Sequence, residues 1–294
     1  IYKMDYDRMI QAHVDRKADL TVGCIPIPLD EVDQFGVIQT DAEDRVTDFL
    51  EKPKTAAPMP GDTKHALGSM GIYVFSTRML FELLCEDAAT ANSQHDFGKN
   101  IIPGMIASGH KVFGYRFRDE NKKAALYWRD VGTLDAYYQA SLDLVAPEPE
   151  LNLYDDHWPI RTFHKQFPPP KFVHSADGPA GHARRGEATD SLVCPGCIVS
   201  GGQVRRSILS QGVRVNSYAV VEDSILFEGA EIGRYCRIRK AIIDKDVKLP
   251  PYTVIGFDPE LDRKRGFTIS DGGVVVVAKA EPPEAFLAPN PLPY

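Results

Sequence analysis

Residues 191–257 repeat. Four copies run SLVCPGCIVSGGQVRR (191–206), SILSQGVRVNSYAVVED (207–223), SILFEGAEIGRYCRIRK (224–240) and AIIDKDVKLPPYTVIGF (241–257), in steps of 16, 17 and 17 residues. Within a copy, aliphatic residues return about every six positions, as from Val215 to Val221 and from Ile232 to Ile238. A unit of this size holds three short strands joined by turns, and one copy alone has nothing to bury its apolar side against. Stacking the copies supplies that partner. The pattern predicts a parallel β-helix. An antiparallel sandwich would call for turn pairs such as Asn-Gly, and the repeats contain none.

The residues before the repeats follow a different rule. From 1 to about 145, strand-like runs alternate with helix-like ones. ADLTVGCIPIPL (18–29) reads as a buried strand, and GVIQT, DAED and RVTDFLE within 33–53 read as a hairpin. GIYVF leads through Ser-Thr into a helix with Leu80, Leu83 and Leu84 on one face. DFGKNIIPGMIASG (96–109) predicts a short helix with Asp96 as its cap. KVFGYRF (111–117) is a strand, and YWRDVGTLDAYYQASLDLVA is a turn feeding a helix capped by Thr133. Such alternation predicts a layered α/β domain over 1–146. A Pro-, His- and Arg-rich linker spans 147–190, a β-helix domain 191–280 and a Pro-rich tail 281–294.

A chain of 294 residues with 26% charged residues and a net charge of −7 has no general attraction to nucleic acid or to an anionic membrane. It contains no apolar run of about 18 residues that would span a bilayer. Five cysteines, an odd and sparse set, fit a reducing, cytoplasmic compartment. Cys194-Pro-Gly-Cys197 has zinc-ligand spacing but no second pair to complete a site, so these are two small, half-buried side chains. No GxSxG, HExxH or GxxxxGK[ST] occurs.

Three stretches carry chemistry. In Glu51-Lys52-Pro53 the proline ends the strand ladder, so the neighbouring acid and base need not face opposite sides. An ammonium suits a phosphate and a carboxylate accepts from hydroxyls, a pairing matched to a phosphorylated sugar; the alternative is a solvated turn. Asp130, between an aromatic anchor and a Gly-Thr turn, is either a metal ligand or part of the helix cap. Ser69 and Gly71 at a strand start allow close approach by a ligand, or simply tight packing. The His95–Lys99 turn is given no chemical role.

IYKMDY, FGV, FLEKP, SMGIYVF, HDFGKNIIP, YWRDVGT and WPIRT, in this order and followed by hexapeptide-type repeats, resemble bacterial glucose-1-phosphate adenylyltransferase (ADP-glucose pyrophosphorylase), from residue 1 to about 279. The resemblance implies the C-terminal half of a Rossmann-like nucleotidyltransferase domain followed by a left-handed parallel β-helix. It implies an enzyme that makes ADP-glucose and pyrophosphate from ATP and glucose 1-phosphate in glycogen biosynthesis, with Mg²⁺ as cofactor, as a cytoplasmic homotetramer under anionic allosteric effectors. Lys52 matches the contact to the sugar phosphate, Glu51 the contact to sugar hydroxyls, and Gly36 and Ser69 further positions of that site. Asp130 matches a metal-binding aspartate, and Lys245 and Lys279 match basic effector contacts. Family members carry a Gly-rich ATP loop and a Gly-Asp-His before IYKMDY; the sequence as given begins after both, so it is expected to be inactive alone. The basic C-terminal segment of enteric enzymes is replaced here by an acidic, Pro-rich one. Alternatives are a UTP- or dTTP-dependent sugar-1-phosphate nucleotidylyltransferase and a non-catalytic regulatory subunit on the same fold. A β-helix acyltransferase would need a histidine in its coils, and residues 191–257 have none.

Overall fold

The computed structural model describes residues 1–117, 127–173, 175–177, 184–279 and 286. They form two compact units, one of Tyr2–Trp128 and one of Ile1 with the residues from Arg129 onward.

In the first unit, helix α1 (Tyr6–Asp15) precedes strands β1 (Leu20–Pro28), β2 (Gly36–Thr40), β3 (Val46–Glu51) and β4 (His65–Phe75). Helices α2 (Thr77–Ala88) and α3 (Ile102–Ala107) and strand β5 (Val112–Arg116) follow. The sheet order is β3-β2-β4-β1-β5, and only the β1–β5 pair is parallel. Leu20, Val22, Leu67, Ile102, Met105 and Val112 are fully buried together beneath the helices. The expected hairpin forms, with Gly36 opposite Glu51. The strand ending in GIYVF is longer than its apolar run suggests, because residues from His65 onward pair with β1. Helix α2 needs a correction. Met79 and Leu83, four residues apart, pack inward, whereas Leu84 is 40% exposed and Phe81 66% exposed.

In the second unit, helix α4 (Leu134–Leu142) begins at Thr133, whose Oγ1 accepts from the Ala136 amide at 3.1 Å, as the sequence predicts. Three sheets, parallel except for the edge strand Thr268–Ile269, which pairs antiparallel with Val275–Val277, build the β-helix that the repeats predict. In one of them Val204, Val221, Ile238 and Ile255 sit side by side, all pointing into the core. Each corner of the coil turns through one left-handed residue. Gly196, Gly212, Gly229 and Asp246 serve one corner, Gly201, Tyr218, Tyr235 and Tyr252 the second, and Asp190, Arg206, Asp223 and Lys240 the third. At the second corner the rings of Tyr218, Tyr235 and Tyr252 stack with centroids 4.9 and 5.0 Å apart, the spacing of neighbouring strands.

The segment read as a linker contributes to this solenoid. Residues 171–173 pair with Ile198–Ser200, and Glu187–Thr189 pair with Gln203–Arg205. These strands are three residues long, too short for periodicity to betray them. Among the described residues of the tail, Phe286 packs on Phe267; the remainder of 281–294 lies outside the described residues. Cys194 is half-buried, as the sequence reading holds, whereas Cys197 is fully buried; burial pushes its thiol up to about 11, and its Sγ donates to the Ser210 carbonyl.

Candidate functional site

β3 is an edge strand that ends at Glu51. Lys52 then adopts φ 48°, a left-handed conformation that L residues rarely take, while its amide donates to the Phe35 carbonyl at 3.0 Å. This kink breaks the strand's alternation one residue before Pro53. Glu51 and Lys52 are both exposed, and neither side chain has an ion-pair or hydrogen-bond partner among the described residues. Phe35 is also held from the other side, its ring 5.7 Å from that of Trp128.

Glu51 lies in a cradle made of absent side chains. A Cβ on Gly36 would stand 3.1 Å from Glu51 Oε2 and 2.7 Å from the Phe49 ring. A Cβ on Gly98 would stand 2.8 Å from the same oxygen and 3.0 Å from the same ring. The turn that supplies Gly98 is the one given no chemical role above. Asp96 caps it, its Oδ1 accepting from the Lys99 amide at 2.9 Å, and it runs through a π-helical turn, Phe97–Ile101, into α3. Phe97 stacks on Tyr73 with centroids 5.4 Å apart.

Tyr73 connects this group to Ser69. Between them β4 bulges: Val22 pairs with Tyr73 and Cys24 with Ser69, so three residues of β4 oppose one of β1, and Gly71 takes φ +68°. The Tyr73 hydroxyl has its pKa raised, mainly by burial, with a hydrogen bond to Ser69 pulling the other way and the negative charges of Glu51 and Asp96 adding to the rise. Gly36, Glu51 and Ser69 are therefore linked with Asp96, Phe97, Gly98 and Tyr73 in the first unit, and Lys52 follows Glu51 directly in the chain. The surroundings offer a carboxylate pair, an ammonium, two hydroxyls and an aromatic wall. Those groups can bind a polar, hydroxylated anion through its phosphate and its hydroxyls.

Asp130 belongs to the second unit. Its Oδ1 accepts from the Gly132 amide at 3.1 Å, and its Oδ2 takes no hydrogen bond among the described residues. Since Thr133 caps α4, the cap reading of Asp130 falls away. An exposed carboxylate with one oxygen fixed and the other open is a hard donor of the type Mg²⁺ takes singly or in pairs beside phosphate oxygens. Lys245 and Lys279 meet around Asp244, which accepts from both backbone amides, at 2.7 and 3.2 Å. The Lys279 ammonium is committed to Asp246 at 2.8 Å.

Two family profiles match the chain. The one described as Nucleotidyl transferase covers residues 1–146, and the one described as GlmU-like, C-terminal hexapeptide covers 168–277. Curated proteins named glucose-1-phosphate adenylyltransferase are similar over nearly all of it. That of Rhodopirellula baltica is 55% identical over 96% of this chain and 62% of its own length. That of Methylococcus capsulatus is 51% identical over 94% and 64%. That of Anaeromyxobacter sp. is 49% identical over 95% and 68%. The chain thus spans a little under two thirds of the length of the first two.

Proposed function

The chain belongs to the glucose-1-phosphate adenylyltransferase family, and on that premise we propose that its protein joins the adenylyl group of ATP to glucose 1-phosphate, giving ADP-glucose and pyrophosphate for glycogen synthesis. The observation that carries this reading is the Glu51 carboxylate seated between Gly36 and Gly98, followed in the chain by Lys52, whose ammonium no acid neutralises among the described residues.

The attacking atom is a phosphate oxygen of glucose 1-phosphate, directed in line at the α-phosphorus of ATP, with pyrophosphate leaving. That oxygen is already anionic, so no general base is required. The obstacle is repulsion: two unit charges about 4 Å apart repel by roughly 4 kcal/mol at an effective dielectric near 20. Lys52 offsets part of that charge and fixes the phosphate. Glu51, Asp96 and Ser69 take the sugar hydroxyls, and the Tyr73–Phe97 stack walls the ring. Asp130 would hold a Mg²⁺, which when bound neutralises and orients phosphate oxygens. The same reading makes Lys245 and Lys279 contacts for an effector anion, which must displace Asp246 from Lys279, and makes the protein a cytoplasmic homotetramer.

Calorimetric titration of the chain with glucose 1-phosphate tests the carrying observation. Lys52→Ala should weaken binding about tenfold or more, the worth of a charge-assisted contact. Unchanged affinity in that variant would remove Lys52 from the site.

A further inference from the structure

The outer wall of the solenoid holds a concavity of about 430 Å³, lined by Asn216, Glu231, Arg234, Lys248 and the Pro250–Pro251 turn. Gly233 creates it. A Cβ there would lie 2.6 Å from the Leu249 carbonyl oxygen and 2.7 Å from Pro250, so only glycine lets that turn close down on the coil beneath. Glu231 and Lys248 are register partners on adjacent parallel strands.

Other cations of the unit are spent in several ways: Arg206 on Asp223 at 2.7 Å, Lys165 on Glu228 at 2.7 Å, Lys279 on Asp246 at 2.8 Å, Lys240 on the Gly272 carbonyl, and Arg237 and Arg239 on the Phe257 ring. Arg234 and Lys248 make neither an ion pair nor a side-chain hydrogen bond among the described residues. Glu231 Oε1 receives only a long bond from Asn216 Nδ2, at 3.5 Å, because Asn216 Nδ2 is drawn more strongly to the Ile232 carbonyl at 2.8 Å. Two unspent cations and one under-used carboxylate thus share a hollow floored by rigid proline rings, in a protein of net charge −7.

We propose that this concavity binds a phosphate monoester carrying free hydroxyls, with its phosphate on Arg234 and Lys248 and a hydroxyl donating to Glu231. The cations alone would accept any small anion. The carboxylate beside them repels an anion that has no proton to give, so it selects for hydroxyls. The site lies in the other unit from Glu51 and Lys52 and shares no residue with them.

The test uses the chain carrying Lys52→Ala, so that its result does not depend on the glucose 1-phosphate reading. Glycerol 3-phosphate is titrated in while the amide resonances of Gly233 and Leu249 are followed. Saturable shifts at both are expected. Arg234→Ala with Lys248→Ala should weaken them about tenfold or more. Glu231→Gln should weaken glycerol 3-phosphate while improving inorganic sulfate. Both cationic side chains are exposed, so the double variant should keep its unfolding midpoint. Absence of shifts at Gly233 and Leu249, or affinity unchanged in the double variant, would overturn the proposal.

Discussion

Glu51 owes its place to side chains that are not there. Its Oε2 occupies space that a methyl group on Gly98 would approach to 2.8 Å. Gly98 is not among the residues with positive φ, so alanine there is a steric change without a backbone penalty. Gly98→Ala should therefore weaken glucose 1-phosphate binding about fivefold, roughly 1 kcal/mol, by pushing the carboxylate aside, with a smaller loss of stability from the buried Phe49 ring that the methyl group would meet at 3.0 Å. Titration calorimetry beside a denaturant melt separates the two effects; a fall in stability with intact binding would assign Gly98 to packing alone. Part of this site is legible in the sequence, because an acid, a base and a proline in succession announce a strand that stops with its charges free. The left-handed turn at Lys52 is not, since nothing in a lysine asks for positive φ. Nor is Gly98, whose approach to Glu51 comes from packing a remote turn against β3. From sequence, Asp96 shows only its cap role, and the structure adds its neighbourhood with Glu51 and Tyr73.

Helix α4 shows how one element is tied to the solenoid. Its Tyr138 hydroxyl donates to the Asp223 carbonyl at 2.6 Å, and its ring packs with Ile225, Ile242 and Val274. Asp135 in the first turn accepts from the Ser270 hydroxyl and, at 3.0 Å, from the Gly272 amide. These bonds, that of Ser270 first, hold the Asp135 carboxyl below the usual aspartate value. A depressed folded value means that the stabilisation is fully present above the unfolded pKa of about 3.9 and is lost as pH falls through the lower folded one. Acid titration of the Gly272 amide resonance should show that loss, and Asp135→Asn should flatten it; an unaltered acid limb in the variant would detach Asp135 from the docking. The helix, its Thr133 cap and the repeats are legible because each follows a local rule of period or capping. The strands at 171–173 and 187–189 obey no local rule. They are strands only because a neighbouring coil offers them a ladder.

At the scale of the whole molecule, the repeat step fixes more than the core. A step of 16 or 17 residues returns a left-handed residue to each of three corners, so a coil absorbs a one-residue difference in length as long as each corner residue keeps its place above the one before. Coils also depend on their neighbours for burial. Ile238, fully buried in the middle of its ladder, should cost about 3 kcal/mol when cut to alanine, through lost transfer energy and the cavity left behind. Urea melts monitored at the solenoid check that figure, and a loss below about 1 kcal/mol would mean that the coils close the gap by sliding. The corner that carries Tyr218, Tyr235 and Tyr252 supplies the means of watching. Both tryptophans, Trp128 and Trp158, lie outside the repeats. Three phenols in near-parallel register couple their ultraviolet transitions, so the circular dichroism of this column is a built-in gauge of coil pitch, dimming as soon as one turn lifts from the next.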